Sequence, residues 1–299
     1  MKVFVTGASG YIGGSVAAGL ISGGHEVLGL VRSEERADQV RALGIEPVMG
    51  DLDNPDVLAG AAEKADAVIS AANAEHRASV ETFVTALAGS GKTFIQTAGS
   101  SIIADLSEGK GGGGIFDEDT PFTPLPGRVE RVAINQLVID AASDNLTTVV
   151  VAPTLIYGRG RGVNPNSIQI PWLVELAKER GCAHHIGPGE NVWANVHIDD
   201  LVDLYLLALE KAPAGSLYYA ENGENSMREV CQAINRIYGF EGDPQSMTIA
   251  EASEIWGEGA ANYTMGSNSR ARAMRARAEL GWAPHRPSLI EDLNSVGAV

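Results

Sequence analysis

Cysteines, cationic side chains and long apolar runs are all scarce in this chain. Its 299 residues include two cysteines, Cys182 and Cys231, in no metal-binding or redox spacing. That excludes a cysteine metal motif and a dithiol centre, and it suits a reducing, cytoplasmic setting. No apolar stretch approaches the roughly 20 residues that cross a bilayer as a helix. The first residues lack a basic segment followed by an apolar core, so no cleaved leader is expected. Lysine and arginine total 22 against 38 aspartates and glutamates, a net charge of −16. Such a chain repels nucleic acid and anionic membrane, and neither is an expected partner. No internal repeat is visible. What remains is ordinary: 44% hydrophobic and 20% charged residues, enough for a substantial core in one large or two small domains.

The N-terminal stretch says most. Met1 to Gly13 reads Met-Lys-Val-Phe-Val-Thr-Gly-Ala-Ser-Gly-Tyr-Ile-Gly, a strand-like run entering a glycine-punctuated turn. Val16, Ala17, Leu20 and Ile21 then follow at helical spacing. Each glycine has its own task in such a turn. Gly7 permits a backbone conformation closed to other residues, Gly10 lets a pyrophosphate approach, and Gly13 lets the helix pack close to the strand. Thr6, Ser9, Tyr11 and Ile12 complete the turn, and the helix-opening amides suit phosphate. The expected ligand is a dinucleotide.

Strand-like and helix-like segments alternate after this turn, which predicts an α/β fold with a doubly wound parallel sheet. Strands are expected at Lys2–Thr6, Glu26–Val31, Glu46–Met49, Ala67–Ser70, Thr93–Thr97 and Thr147–Ala152. Helices are expected near Tyr11–Ser22, Glu34–Ala42, Pro55–Ala62, Ala78–Leu87 and Arg128–Ala142. Beyond Tyr157 the rhythm loosens into a glycine loop at 158–166. Helical patches follow at Ile168–Arg180, Asp199–Glu210, Ser226–Ile237 and Ser269–Leu280. The run Lys110–Gly114 reads as a flexible loop.

The spacing Gly7-x-x-Gly10-x-x-Gly13, preceded by Thr6, resembles the short-chain dehydrogenase/reductase superfamily. The likeness is to its extended branch of nucleotide-sugar epimerases, dehydratases and dihydroflavonol-type reductases, and it runs along nearly the whole chain. It implies a Rossmann-type domain over 1–160, with 196–220 packing on it. A small substrate-binding lid would comprise 161–195 and 221–299. The second strand ends at Val31 and continues into Arg32 and Ser33, where NADP enzymes need a cation and NAD enzymes an acidic residue. Arg32 can grip a 2′-phosphate with two parallel bonds and Ser33 can donate a third, so NADP is favoured over NAD, although Glu34 and Glu35 lie close by. Asp51 and Leu52 after the third strand match the adenine side, with Asp51 on the amino group. Ala71, Ala72 and Asn73 after the fourth match the space beside the nicotinamide ribose. Thr97 and Pro153 close the cofactor set.

The resemblance fails at one place. Members pair a tyrosine with a lysine four residues later, the lysine lowering the phenol's pKa for proton transfer. Here the helix reads Pro126-Gly-Arg-Val-Glu-Arg-Val-Ala-Ile-Asn-Gln136, without tyrosine or lysine. Counting back from Pro153 puts Gly127 at the tyrosine's position and Arg131 at the lysine's; a shifted alignment puts Arg131 and Asn135 there. Arg131 can hold the nicotinamide ribose but titrates too high to act as an acid. Ser100 and Ser101 supply the hydroxyls expected after the fifth strand, and Tyr157 is a further candidate for proton transfer, although a packing role suits it as well. Asp105 and Lys110 are loop candidates for the same task.

Asn191, Trp193 and Asn195 alternate before His197, so one strand face can present all three to an organic substrate or to lid packing. Asp200 is expected to cap the following helix rather than bind metal, and His184 and His185 point to opposite faces, so no metal is expected. Two functional readings follow. One is an NADP(H)-dependent oxidoreductase or epimerase-like enzyme for a small carbonyl or alcohol, with altered catalytic residues. The other is a non-catalytic NADP-binding redox sensor or partner-binding protein. The family likeness also implies pairing into a homodimer through the helices flanking the Arg128–Ala142 region.

Overall fold

The computed structural model describes residues 1–296. Seven strands form one parallel sheet: β1 (Lys2–Thr6), β2 (Glu26–Val31), β3 (Glu46–Met49), β4 (Ala67–Ser70), β5 (Lys92–Thr97), β6 (Leu146–Pro153) and β7 (Ser216–Ala220). Their spatial order is 3-2-1-4-5-6-7, so the winding direction reverses between β1 and β4. Both faces of the sheet are covered, and the β-branched run Val149, Val150 and Val151 is fully buried, as a two-sided strand requires.

Helices α1 (Tyr11–Ser22), α2 (Glu34–Arg41), α3 (Pro55–Lys64), α4 (Arg77–Leu87) and α5 (Val129–Asp140) alternate with these strands. Further on lie α6 (Gln169–Arg180), α7 (Ile198–Lys211), α8 (Met227–Tyr238) and α9 (Ile249–Trp256). Helix α1 packs on α7, while α3, α4 and α5 lie side by side. Expected and observed elements agree to within two residues at most ends. Helix α9 was not expected, although Thr248 and Glu251 form a capping box that announces it.

The expected helix over Ser269–Leu280 is corrected. Only Met274–Leu280 is helical, because Arg270–Ala271 pairs as a strand with Ile115–Phe116 and Ser269 bridges to Trp193. A second apolar core gathers Leu155, Tyr157, α6, α8 and Leu289, separate from the core around the sheet. Ala271, Ala276, Leu280 and Trp282 join the sheet core instead, so the chain returns from the small region to the large one after residue 269. Among the described residues no helix is long and apolar enough to cross a membrane.

The returning segment is held by charge. Glu224 accepts from Arg270 at 2.6 and 3.1 Å and from Arg272 at 3.0 Å. The Arg270 hydrogen bond, working against burial, holds the Glu224 carboxyl below its ordinary range. The folded state thus binds this proton less tightly than the unfolded chain. Its stabilisation is complete above the ordinary glutamate range and is lost as pH falls through the lowered folded value. Glu224→Gln is expected to cost about 1.5–3 kcal/mol at neutral pH, the worth of a hydrogen bond to a charged group. It is also expected to flatten the acid side of the stability profile, measured by urea unfolding between pH 3 and 7; an unchanged profile refutes the assignment.

Candidate active site

The site is built where the sheet reverses direction. Buried Thr6 ends β1, and its Oγ1 accepts from the Ala71 amide after β4 at 3.1 Å, tying the two strand ends together. Gly7 has φ +73°, and a Cβ there would stand 2.7 Å from the Ala71 carbonyl oxygen. At Gly13 a Cβ would lie 2.4 Å from the Gly7 carbonyl oxygen. Gly10 is different: its Cβ position meets only the Gly7 oxygen, at 3.1 Å. It opens α1 without any side-chain cap, so the amides of Tyr11, Ile12 and Gly13 have no partner within the helix. Half-buried Ser9 borders the same turn. An uncapped helix start behind an open glycine turn fits a dinucleotide's pyrophosphate.

The loop after Tyr157 seals one flank of this turn. The Tyr11 hydroxyl donates to the Gly158 carbonyl at 2.7 Å and approaches the Tyr157 carbonyl at 3.1 Å. Glycine meets glycine at the crossing: a Cβ on Gly162 would lie 2.7 Å from the Gly14 Cα. The Arg161 amide then donates to Ser15 Oγ at 3.1 Å.

Arg32 is exposed directly beyond β2, and Ser33 caps α2 by accepting from the Arg36 amide at 3.3 Å. Asp51 accepts from the Asp53 amide at 3.0 Å through one oxygen, and half-buried Leu52 follows it. Ala71 is half-buried, while Ala72 and Asn73 are exposed. Asn73 Oδ1 accepts from the Glu75 amide at 2.9 Å and so fixes a residue that sequence reasoning missed.

Glu75 completes a polar bridge from the loop after β4 to the start of α5. Arg131 donates to Ser101 Oγ at 2.9 Å with one nitrogen and to Glu75 Oε1 at 2.6 Å with another. Arg128 lies 3.7 Å from the same carboxylate, and burial, then the neighbouring Arg131, pushes its pKa down. Two guanidiniums therefore share one carboxylate. This leaves excess positive charge beside Ser101 in a protein whose net charge is −16.

Several expected residues serve the fold instead. The Ser100 hydroxyl is buried against Ser269 Oγ at 2.9 Å, so of the two serines Ser101 is the one bonded to Arg131. Thr97 Oγ1 bonds the Tyr205 hydroxyl at 2.6 Å, on the α7 side of the sheet. Pro153 is buried within the β6–β7 pairing. The Tyr157 hydroxyl donates to the Pro287 carbonyl at 2.7 Å, and burial raises its pKa, which holds it neutral.

Asn191 donates to the Met265 and Ser267 carbonyls at 3.0 and 2.8 Å, and Trp193 Nε1 to Ser267 at 2.8 Å. Asn195 donates to Asn225 at 3.0 Å. All three are buried and fasten neighbouring chain, so the lid-packing reading replaces substrate contact. The cap of α7 is His197, whose Nδ1 accepts from the Asp199 amide at 3.0 Å. Asp200 instead accepts from the His285 and Arg286 amides at 2.9 and 3.2 Å. Among the described residues Asp200, Asp203 and His285 bring their ligand atoms within 4.8 Å of one another, close enough to share an ion, a grouping the sequence reading did not foresee.

The Lys110–Gly114 run is pinned at its base, since Gly109 accepts from the Glu190 and Asn191 amides at 2.8 and 3.0 Å. Asp105 is likewise tied, to the Asn268 amide at 2.8 Å and its side chain at 2.9 Å, while Lys110 stays exposed.

A parallel sheet in this order, with a glycine cradle at its reversal point, defines a Rossmann-type protein. The chain belongs to the NAD dependent epimerase/dehydratase family, whose model matches residues 3–219. The oxidase ucsJ of an Acremonium species is 31% identical, over 99% of this chain and 96% of its own length. A 4-hydroxy-2-methyl-3-oxo-4-farnesyl-3,4-dihydroquinoline-1-oxide ketoreductase of Stigmatella aurantiaca is 31% identical over 75% of this chain and 69% of its own. The solved UDP-glucose 4-epimerase of Thermotoga maritima, with UDP-glucose, superposes with a TM-score of 0.77 at 19% identity, covering 98% and 96% of the two chains. The protein is an enzyme of the oxidoreductase or epimerase type.

Proposed function

We propose that the protein is an NADP(H)-dependent reductase of small organic carbonyl compounds. The observation that carries this reading is the Ser101 hydroxyl held 2.9 Å from the Arg131 guanidinium, in the 3-10 turn Ser100–Ile103 that follows β5, the strand next in the sheet to β4. The uncapped start of α1 would hold the pyrophosphate, and Arg32 with Ser33 the 2′-phosphate. The bound cofactor supplies hydride to the substrate carbon. Ser101 then donates a hydrogen bond to the substrate oxygen, while Arg131 orients Ser101 and offsets negative charge gathering on that oxygen. The named ketoreductase relative supports a carbonyl substrate. The test is NADPH oxidation against a panel of aldehydes and ketones; tight NADPH binding without turnover of any member refutes the reading.

The cofactor preference has its own test. Arg32→Ala removes a charge-assisted bond worth about 1.5–3 kcal/mol, roughly ten- to a hundredfold in affinity. Calorimetric titration is expected to show NADPH weakened by that factor and NADH unaffected. Equal affinity of the parent protein for both cofactors overturns the NADP assignment.

A further inference from the structure

The helix that would carry a proton donor has none, yet a phenol stands at that spot. A Cβ built on Gly127 would lie 2.6 Å from the Tyr263 hydroxyl oxygen and 2.8 Å from the carbon bearing it. Tyr263 arrives from a distant part of the chain, in a single turn of π-helix at Ala261–Met265, a distortion frequent at functional sites. The Arg128 guanidinium lies over its ring, 4.4 Å from the centroid. Gly127 lies in the 3-10 turn Pro126–Arg128 that leads into α5, and Arg131 lies in the first turn of α5 itself. The phenol is linked to the Ser101 hydroxyl by a chain of contacts: Arg128 lies over its ring, Arg128 and Arg131 share Glu75, and Arg131 donates to Ser101.

The other phenols are engaged elsewhere. Those of Tyr11, Tyr157, Tyr205 and Tyr218 bond Gly158, Pro287, Thr97 and Glu279, Tyr219 is 2% exposed in the sheet core, and Tyr238 stacks on Phe240 beneath Lys178 against the second core. Tyr263 is half-exposed, and among the described residues its hydroxyl makes no hydrogen bond.

We propose that Tyr263 is the proton donor to the substrate oxygen, a phenol supplied from the C-terminal region in place of one on the helix. This rests on the reductase reading. In the step, the carbonyl carbon takes the hydride that the reduced dinucleotide supplies, and the carbonyl oxygen takes the Tyr263 proton as the phenol O–H bond breaks. The carbonyl is reduced to an alcohol, the dinucleotide is oxidised, and water returns the proton to the phenolate. Arg128, whose guanidinium lies 4.4 Å from the ring centroid, offsets the negative charge left on the phenol, the task a lysine performs in a tyrosine–lysine pair. Glycine at 127 is then a requirement, because any side chain there displaces the phenol.

Two readouts test this. Tyr263→Phe is expected to lower kcat about 10²-fold or more, the lower range for general acid help, while KM for an aldehyde or ketone reduced by the parent stays within about threefold. Gly127→Ala, which places a methyl group where the hydroxyl stands, is expected to lower kcat in the same direction with Tyr263 intact. Independently of turnover, protein carrying 3-fluorotyrosine gives a fluorine resonance for Tyr263, identified by its loss in Tyr263→Phe. That resonance is expected to shift when NADP+ and then a product alcohol are added. Tyr263→Phe with kcat within about threefold of an active parent, or a resonance unmoved by either addition, overturns the proposal. A parent that binds NADPH but turns over no carbonyl overturns the reductase reading instead, and the fluorine readout then decides alone whether Tyr263 faces the ligand.

Discussion

Valine at position 10 is expected to abolish dinucleotide binding and leave the protein folded. The Cβ direction at Gly10 is open except for the Gly7 oxygen at 3.1 Å, so a side chain there asks a shift of only a few tenths of an ångström from the turn. The pyrophosphate does not fit beside it, because the branched group occupies the space in front of the uncapped amides of α1. Gly13→Val is the contrasting control. Its Cβ would meet the Gly7 carbonyl oxygen at 2.4 Å. Clearing that contact demands a far larger shift than at Gly10, and the same Cβ also reaches the Gly7 carbonyl carbon at 2.7 Å and the Thr6 oxygen at 3.0 Å. Overpacking there costs about 3 kcal/mol, near the upper end for inserted core groups. Calorimetric titration with NADPH and thermal unfolding of both variants separate the cases. Normal NADPH affinity in Gly10→Val places the phosphates elsewhere.

Arg131→Ala is expected to lower kcat/KM about a hundredfold. It removes two charge-assisted bonds, to Ser101 at 2.9 Å and Glu75 at 2.6 Å, each worth about 1.5–3 kcal/mol in such settings. Part of that is recovered as Glu75 turns to Arg128, already 3.7 Å away. Arg131→Lys is expected to fall between, because a lysine keeps the charge but not the planar fork that serves both partners at once. Steady-state kinetics of the two variants with the best substrate found decide the matter, and parental kcat/KM in Arg131→Ala removes Arg131 from the site.

The glycine turn of this protein was legible in its sequence, and the packing around its later strands was not. The glycine spacing, the strand before it and the helix after it are contiguous, so local sterics alone specify the cradle. Arg131 was legible too, as a cation four residues beyond Gly127. The reading of Asn191, Trp193 and Asn195 as one presented face assumed an open neighbour. Residues 265–269 cover that face in the fold, through carbonyls 74 positions further along for Asn191 and Trp193. Tyr157 failed as a proton donor for the same reason, its acceptor lying 130 positions away at Pro287. Tyr263 gave no signal at all, because a lone tyrosine in a short, irregular segment carries no periodicity and no motif.

By itself the sequence determined the α/β class, the parallel winding and the glycine turn before α1. These follow from apolar periodicity, backbone sterics at glycine and the unpaired amides of a helix start, all of which act over a few neighbouring residues. Tertiary structure alone decided which hydroxyl remains available, which amides fasten the chain, and that a distant phenol fills the space above Gly127. Those outcomes depend on where the chain returns after leaving the sheet. Burial in two cores sets that path, and no local pattern records it.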